Sequence, residues 1–220
     1  MELFRILVYV MMGIEAALLI PFTLKFNSLD KAGRSIYYYI VSSIIFAVGA
    51  DVIEYLSVGG NNMWFFAIMY FVQFLILSYF YHIVIKNKKI KTVIKILPIP
   101  VLIVFILDLF HIEGFENYNS LFTTLRSFIL LIYAIIYFLQ LLNDNELIEN
   151  AIFINSLPNF WYNAGLFIFL CSSFLFSLSY NYLAAHGPVP PATLCITFIG
   201  GILEMILFYI GLLKITKQRK

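Results

Sequence analysis

Residues Ile36 to Leu56 read IYYYIVSSIIFAVGADVIEYL, an apolar run that carries two carboxylates, Asp51 and Glu54, near its end. A helix needs about 20 mostly apolar residues to cross a bilayer core of roughly 30 Å, and this run has that length. Working outward in both directions, the same pattern recurs over 3–24, 63–85, 92–110, 121–142, 160–183 and 192–215. The breaks between these runs are polar or rich in turn formers, as in NSLDKAGRS, SVGGNN, KNKKIK, HIEGFENYNS and AAHGPVPP. The composition agrees. Of 220 residues, 62% are hydrophobic and only 12% charged, and the mean hydropathy of +0.94 lies far from the balance of a soluble domain. The expectation is an all-α, polytopic membrane protein, one domain over 1–220 with seven transmembrane helices.

The N-terminal MELFRILVYV continues apolar past Glu15 to Leu24 without a basic leader or a small-residue cleavage site. A retained first helix is therefore expected, not a signal peptide. Cys171 and Cys195 both lie inside apolar runs, so no disulfide framework and no CxxC motif is offered.

Orientation follows from the 14 basic residues. Lys25, Lys31 and Arg34 follow the first span, Lys86, Lys88, Lys89, Lys91 and Lys95 the third, and Lys214, Lys217, Arg219 and Lys220 the seventh; Arg5 and Arg126 are the exceptions. Basic loops stay in the cytoplasm, so the N-terminus is expected outside and the C-terminus inside. Topology and contact with anionic headgroups account for these clusters without nucleic acid. One cytoplasmic connection departs from the rule: NDNELIENAIFINSLPN carries Asp144, Glu146 and Glu149 and no basic residue. Roughly 146–154 of it has the pattern of a short interfacial helix with Leu147, Ile148, Ile152 and Phe153 toward lipid, and Pro158 and Trp161 mark re-entry into the bilayer.

A charged side chain at the bilayer centre costs about 2.5–3.5 kcal/mol even on the lenient insertion scale, so ionisable groups in spans pair or face a cavity. By the rise of about 1.5 Å per residue, Asp51 sits about 9 Å, Glu54 about 4.5 Å and Arg126 about 7.5 Å below the outer edge. Asp51 and Glu54 are three residues apart on one helix face, and a guanidinium can fork between carboxylates. The expected answer to the opening run is thus a buried ion pair, Asp51 and Glu54 receiving Arg126. Below Arg126 the same face carries Tyr133, Tyr137 and Gln140, a polar stripe that Ser173, Ser177 and Tyr180 of the sixth span are placed to meet. Those serines suit plain helix packing equally well.

Glu15 and Glu204 both fall about 18 Å from the outer surface, near the midplane. First and last spans of a seven-helix ring are often neighbours, and Gly200, Gly201 and Gly211 lie on the side of the last span that carries Glu204. Two carboxyls meeting there would share a proton rather than both ionise. Such a pair can sense protons, bind a cation or polar ligand, or serve as an interhelical hydrogen bond. The three histidines are scattered, and His111 with Asp108 and Glu113 is an incomplete ligand set, so no metal is expected.

Several chemistries lack their residues. The last span, ATLCITFIGGILEMILFYIGLLKI, has no lysine in its middle to carry retinal and no Asn-Pro-x-x-Tyr; SYFYHIVIKNKK lacks the Asp-Arg-Tyr of eukaryotic G-protein receptors; no Pro-Gln dipeptide, nucleophile elbow, P-loop or Gly-rich nucleotide motif occurs. No cofactor and no enzymatic activity are expected.

Two stretches carry a resemblance. NNMWFFAIMYFVQFLILSYFY (61–81), with Asn-x-Trp before its span, and LPNFWYNAGLFIFLCSSFLFSLSYNYL (157–183), with Pro-x-Phe-Trp, resemble small seven-helix proteins of Bacteroidetes-type bacteria that look like the membrane halves of two-component sensors. The resemblance implies reception of a membrane or extracellular cue and brings no catalytic residues. Taken together, the expectation is a sensory or signalling receptor subunit in a bacterial inner membrane. The tail KITKQRK leaves no room for an output module, so a protein partner is expected at the cytoplasmic face, a histidine kinase or a membrane complex. In that reading, ligand or proton rearranges Arg126 against Asp51 and Glu54, or the Glu15 and Glu204 pair. The alternatives are an accessory subunit of a larger membrane complex and a small proton-coupled transporter, against which an odd span count without inverted repeats speaks.

Overall fold

A computed structural model of the chain describes residues 2–56, 62–145, 147, 153–186 and 191–218. Among these residues there is no strand, and the elements are helices: α1 (Glu2–Leu24), α2 (Lys31–Leu56), α3 (Met63–Val84), α4 (Lys88–Ile96), α5 (Pro98–Leu107), α6 (Ser120–Leu142), α7 (Pro158–His186) and α8 (Pro191–Gln218). Seven segments are long and apolar enough to cross a membrane, α4 and α5 together forming the fourth over Lys88–Ile112. This is an all-helical, multi-pass membrane protein.

Helix ends follow local chemistry more than hydropathy. The Asp30 carboxylate accepts from Gly33 N at 2.7 Å and starts α2 at Lys31, ahead of the apolar run. Asn87 accepts from Lys89 N at 2.9 Å and Ile90 N at 3.3 Å, so α4 begins within the basic segment KNKKIK. Pro98 lacks the N–H that would carry α4 onward, and it opens α5 as a separate helix. The fourth span closes with a π turn at Asp108–Ile112. Most of the expected interfacial helix at 146–154 lies outside the described residues; its described end is a 3-10 turn, Ile154–Ser156. Trp161 Nε1 donates to Asn155 O at 2.8 Å where α7 begins.

The helices close a ring. α1 packs on α2, α2 on α3, α3 on α6, α6 on α7, α7 on α8 and α8 back on α1, while α2 also reaches α7 across the middle. The fourth span leans on α3 and α6 from outside this ring of six. Phe105 of α5 stacks on Phe71 at 5.1 Å and meets Phe122 edge-on at 5.0 Å, which holds it there. Phe22, Ile36, Phe74, Phe80 and Phe208 are fully buried between the helices, whereas Ile45, Ile103, Phe128, Leu139 and Ile199 are exposed and offer an apolar exterior to lipid.

In lipid, apolar burial does not drive helices together, so small residues and close backbone approach matter more. α7 and α8 show this best. A Cβ on Gly200 would collide with Ser172 Oγ, one on Gly211 would meet Tyr162 Cε1 at 2.6 Å, and one on Gly165 would lie 3.0 Å from the Glu204 carbonyl oxygen. On the other flank, a Cβ on Gly201 would strike Met11 of α1 at 2.5 Å. The small-residue face of the last span therefore seats α8 between α1 and α7.

Candidate functional site

The helices of the ring bring polar side chains to its interior. Glu15 comes from α1, Tyr39 and Ser43 from α2, Tyr70 and Gln73 from α3, Arg126 from α6 and Glu204 from α8, while Ser177 of α7 reaches the cluster through Tyr118. Arg126 and Glu204 are both 0% exposed, and Glu15 is 3% exposed.

The Arg126 guanidinium lies over the Tyr70 ring, 4.8 Å from its centroid, and its Nη2 donates to Gln73 Oε1 at 3.2 Å. Its Nε and Nη1 take no hydrogen-bond partner, and among the described residues no carboxylate oxygen comes within 4.0 Å of it. A guanidinium has five N–H donors and does not give up its charge. Here one donor and one aromatic face are engaged. Tyr39, Tyr118 and Glu204 lie within its electrostatic reach without touching it.

Glu204 is the complement of this arrangement. Neither of its carboxylate oxygens closes a hydrogen bond of ordinary geometry, although the Tyr39 hydroxyl stands beside it and Glu15 lies within electrostatic reach. Glu15 Oε1 accepts from Ser43 Oγ at 3.0 Å. At one border of the cluster, Tyr118 precedes α6, and its hydroxyl shares a hydrogen bond with Ser177 Oγ at 2.9 Å. Burial pushes the Tyr118 phenol well above its ordinary range, so it stays neutral.

The structure thus merges two constellations that the sequence separates. Arg126 faces the ring interior with Glu15 and Glu204. Asp51 and Glu54 do not join it: both are exposed, as are Val52, Tyr55 and Leu56 around them. The reason is that Asp51 and Glu54 lie on the exposed side of the last turns of α2, so equal depth along the helix axis does not bring the groups together. The expected buried ion pair is corrected to a cation held by an amide and an aromatic ring.

The stripe below Arg126 also divides. Tyr133 and Tyr137 are buried, but among the described residues the Tyr133 hydroxyl has no partner, and its ring packs against Tyr81 at 5.6 Å. Gln140 ends α3 instead of continuing the stripe: its Nε2 donates to Val84 O at 3.0 Å and its Oε1 accepts from Lys86 N at 2.5 Å. Ser177 meets Tyr118, and Tyr180 stacks near the same ring at 4.5 Å. Ser177 also donates to Ser173 O at 2.8 Å within α7.

His111 is exposed, while Asp108 and Glu113 serve the start of α6. Asp108 Oδ2 accepts from Phe122 N at 2.8 Å, and Glu113 accepts from Ser120 N and, at 2.6 Å, from Ser120 Oγ. Carboxylates at a helix N-terminus satisfy its free N–H groups and complement its dipole. Among the described residues no group of three or more His, Cys, Asp or Glu is placed to hold a metal.

Gln73, Tyr70, Tyr39 and Ser43 join the cluster without having been singled out by the sequence. The signal for Gln73 was a polar amide at the middle of an otherwise apolar span. A search restricted to ionisable residues passes over it, because an uncharged amide carries a smaller transfer cost. Tyr39 sits in the run Tyr37-Tyr38-Tyr39, where only the helix rotation decides which ring turns inward.

No protein-family model, curated protein or solved structure matches this chain.

Proposed function

We propose that the chain is an integral-membrane receptor subunit whose interior polar cluster is the sensing site. The supporting observation is a buried arginine and a buried glutamate, lined from α1, α2, α3, α6 and α8 and bordered by Ser177 of α7 through Tyr118, whose polar atoms lack full partners. A buried polar group without partners is costly in lipid and marks functional sites. Occupation by a polar ligand or a proton would change contacts on these helices at once, which suits a two-state bundle. In this reading the N-terminus lies outside and the C-terminus inside a bacterial inner membrane, on the distribution of basic residues. Output passes to a separate cytoplasmic protein, a histidine kinase or a membrane complex, and the chain itself performs no catalysis and binds no nucleic acid.

The test is gentle extraction of the tagged protein from its native membrane, with mass spectrometry of what co-purifies and assay of the captured enzyme. The expected result is a stoichiometric cytoplasmic signalling enzyme whose activity differs between the parent and Arg126→Gln. A protein that emerges alone, or an enzyme indifferent to Arg126→Gln, overturns the receptor reading.

A proton-coupled carrier is the second reading, favoured by the nearness of Glu15 and Glu204 in the mid-portions of α1 and α8. Proteoliposome uptake driven by a proton gradient and lost in Glu15→Gln and Glu204→Gln would establish it.

A further inference from the structure

We infer that the interior cluster is a binding site for a small zwitterion, a molecule carrying a carboxylate and an ammonium on one short frame, as in an amino acid or a betaine. The inference rests on the receptor reading for its consequence, but the binding claim stands on the geometry alone.

Arg126 is donor-only and fully buried, with Nε and Nη1 unpartnered. Glu204, when ionised, is acceptor-only and equally buried; the Tyr39 hydroxyl stands beside it, but among the described residues neither oxygen closes a hydrogen bond of ordinary geometry. The two feel one another electrostatically yet stand more than 4.0 Å apart, so neither completes the other. A lone anion would engage Arg126 and leave the acidic end without a donor. A lone cation would engage the glutamates and repel Arg126. A zwitterion gives an acceptor to the guanidinium and a donor to the carboxylate, and it leaves the net charge of the site unchanged, which matters where charge is expensive. The surrounding groups fit that polarity. Gln73 and Tyr70 hold the guanidinium in place from one side, as a carboxylate clamp requires. Tyr39 stands at the acidic end beside Glu204, with its ring edge-on to Phe208 at 6.1 Å, and an aromatic ring there suits an ammonium group.

The experiment measures the thermal stability of the purified full chain in maltoside detergent, without zwitterionic detergent, against rising concentrations of glycine, β-alanine, glycine betaine, acetate and methylammonium. A ligand bound only by the folded state raises the midpoint with concentration. The expected result is that at least one zwitterion binds about tenfold or more tightly than acetate or methylammonium, since each monopole leaves one charged group unsatisfied. Arg126→Gln and Glu204→Gln should each weaken it by about tenfold to a hundredfold. The ligand series on the parent protein stands even where a variant does not fold. Acetate binding as tightly as every zwitterion overturns the proposal in favour of an anion site, methylammonium doing so overturns it in favour of a cation site, and no binding by any of the five overturns it outright. None of these results touches the co-purification test. Conversely, zwitterion binding without a signalling partner removes the receptor reading and leaves the site.

Discussion

Asp108 and Glu204 are both acids with no exposed surface, yet their surroundings differ in kind. Asp108 sits where the fourth span turns into α6, and together with Glu113 it takes up N–H groups of the new helix. Glu204 sits in the ring interior, in the middle of α8 and away from the end of that helix. The first acid belongs to the architecture: its carboxylate replaces bonds that the chain would otherwise lack. The second takes up no helix-end N–H, and the polar group beside it is the Tyr39 hydroxyl. A buried acid that takes up no helix-end N–H is retained at a cost, and that contrast separates Glu204 from Asp108, although Asp108 Oδ1 also lacks a partner among the described residues.

The contrast breaks most sharply on stability. Asp108→Ala leaves the Phe122 N–H without its acceptor and should destabilise the protein by about 1–3 kcal/mol, read as a lowered midpoint of denaturant unfolding in mixed micelles. Glu204→Gln, which keeps the shape and removes the acid, should change the same midpoint by less than about 1 kcal/mol, or raise it. A larger loss at Glu204 than at Asp108 would mean that the interior acid is structural after all.

A second comparison sharpens the first. Tyr81 OH donates to Asn163 Oδ1 at 2.9 Å, and Asn163 Nδ2 donates to Ala134 O at 3.2 Å, linking α3, α7 and α6 through a satisfied buried amide. Asn163→Ala should cost about 0.5–1.5 kcal/mol, the usual range for interhelical hydrogen bonds in membranes, and should leave zwitterion binding unchanged. Loss of binding together with stability would extend the site toward this network.

The smallest effect is expected at the end of α2. Asp51→Asn and Glu54→Gln touch exposed groups, so unfolding midpoints should stay within about 0.5 kcal/mol of the parent. A loss like that of Asp108→Ala would restore the ion pair that the structure rules out.

These outcomes also locate what a sequence can and cannot disclose here. The spans are legible because bilayer thickness fixes their length, and Glu15, Arg126 and Glu204 are legible because charge stands out in an apolar run. Depth along each axis is legible too. Rotation about the axis is not, which is why Asp51 and Glu54 matched Arg126 on paper and face away from it in space. Gln140 makes the same point from the other side: its heptad spacing places it in line with Arg126, while the end of α3 claims both of its hydrogen-bonding groups.

The closing contact of the ring, α1 against α8, has a consequence for biosynthesis. Glu15 leaves the ribosome long before Glu204, and at about 5–20 residues per second the interval is on the order of ten to forty seconds. During that time the first span must reside in the bilayer with an acid that has none of its final neighbours. Ser43, on the very next span, is the first to arrive, and its hydrogen bond to Glu15 gives the nascent hairpin of α1 and α2 a provisional shelter for the carboxyl until the last helix completes the ring.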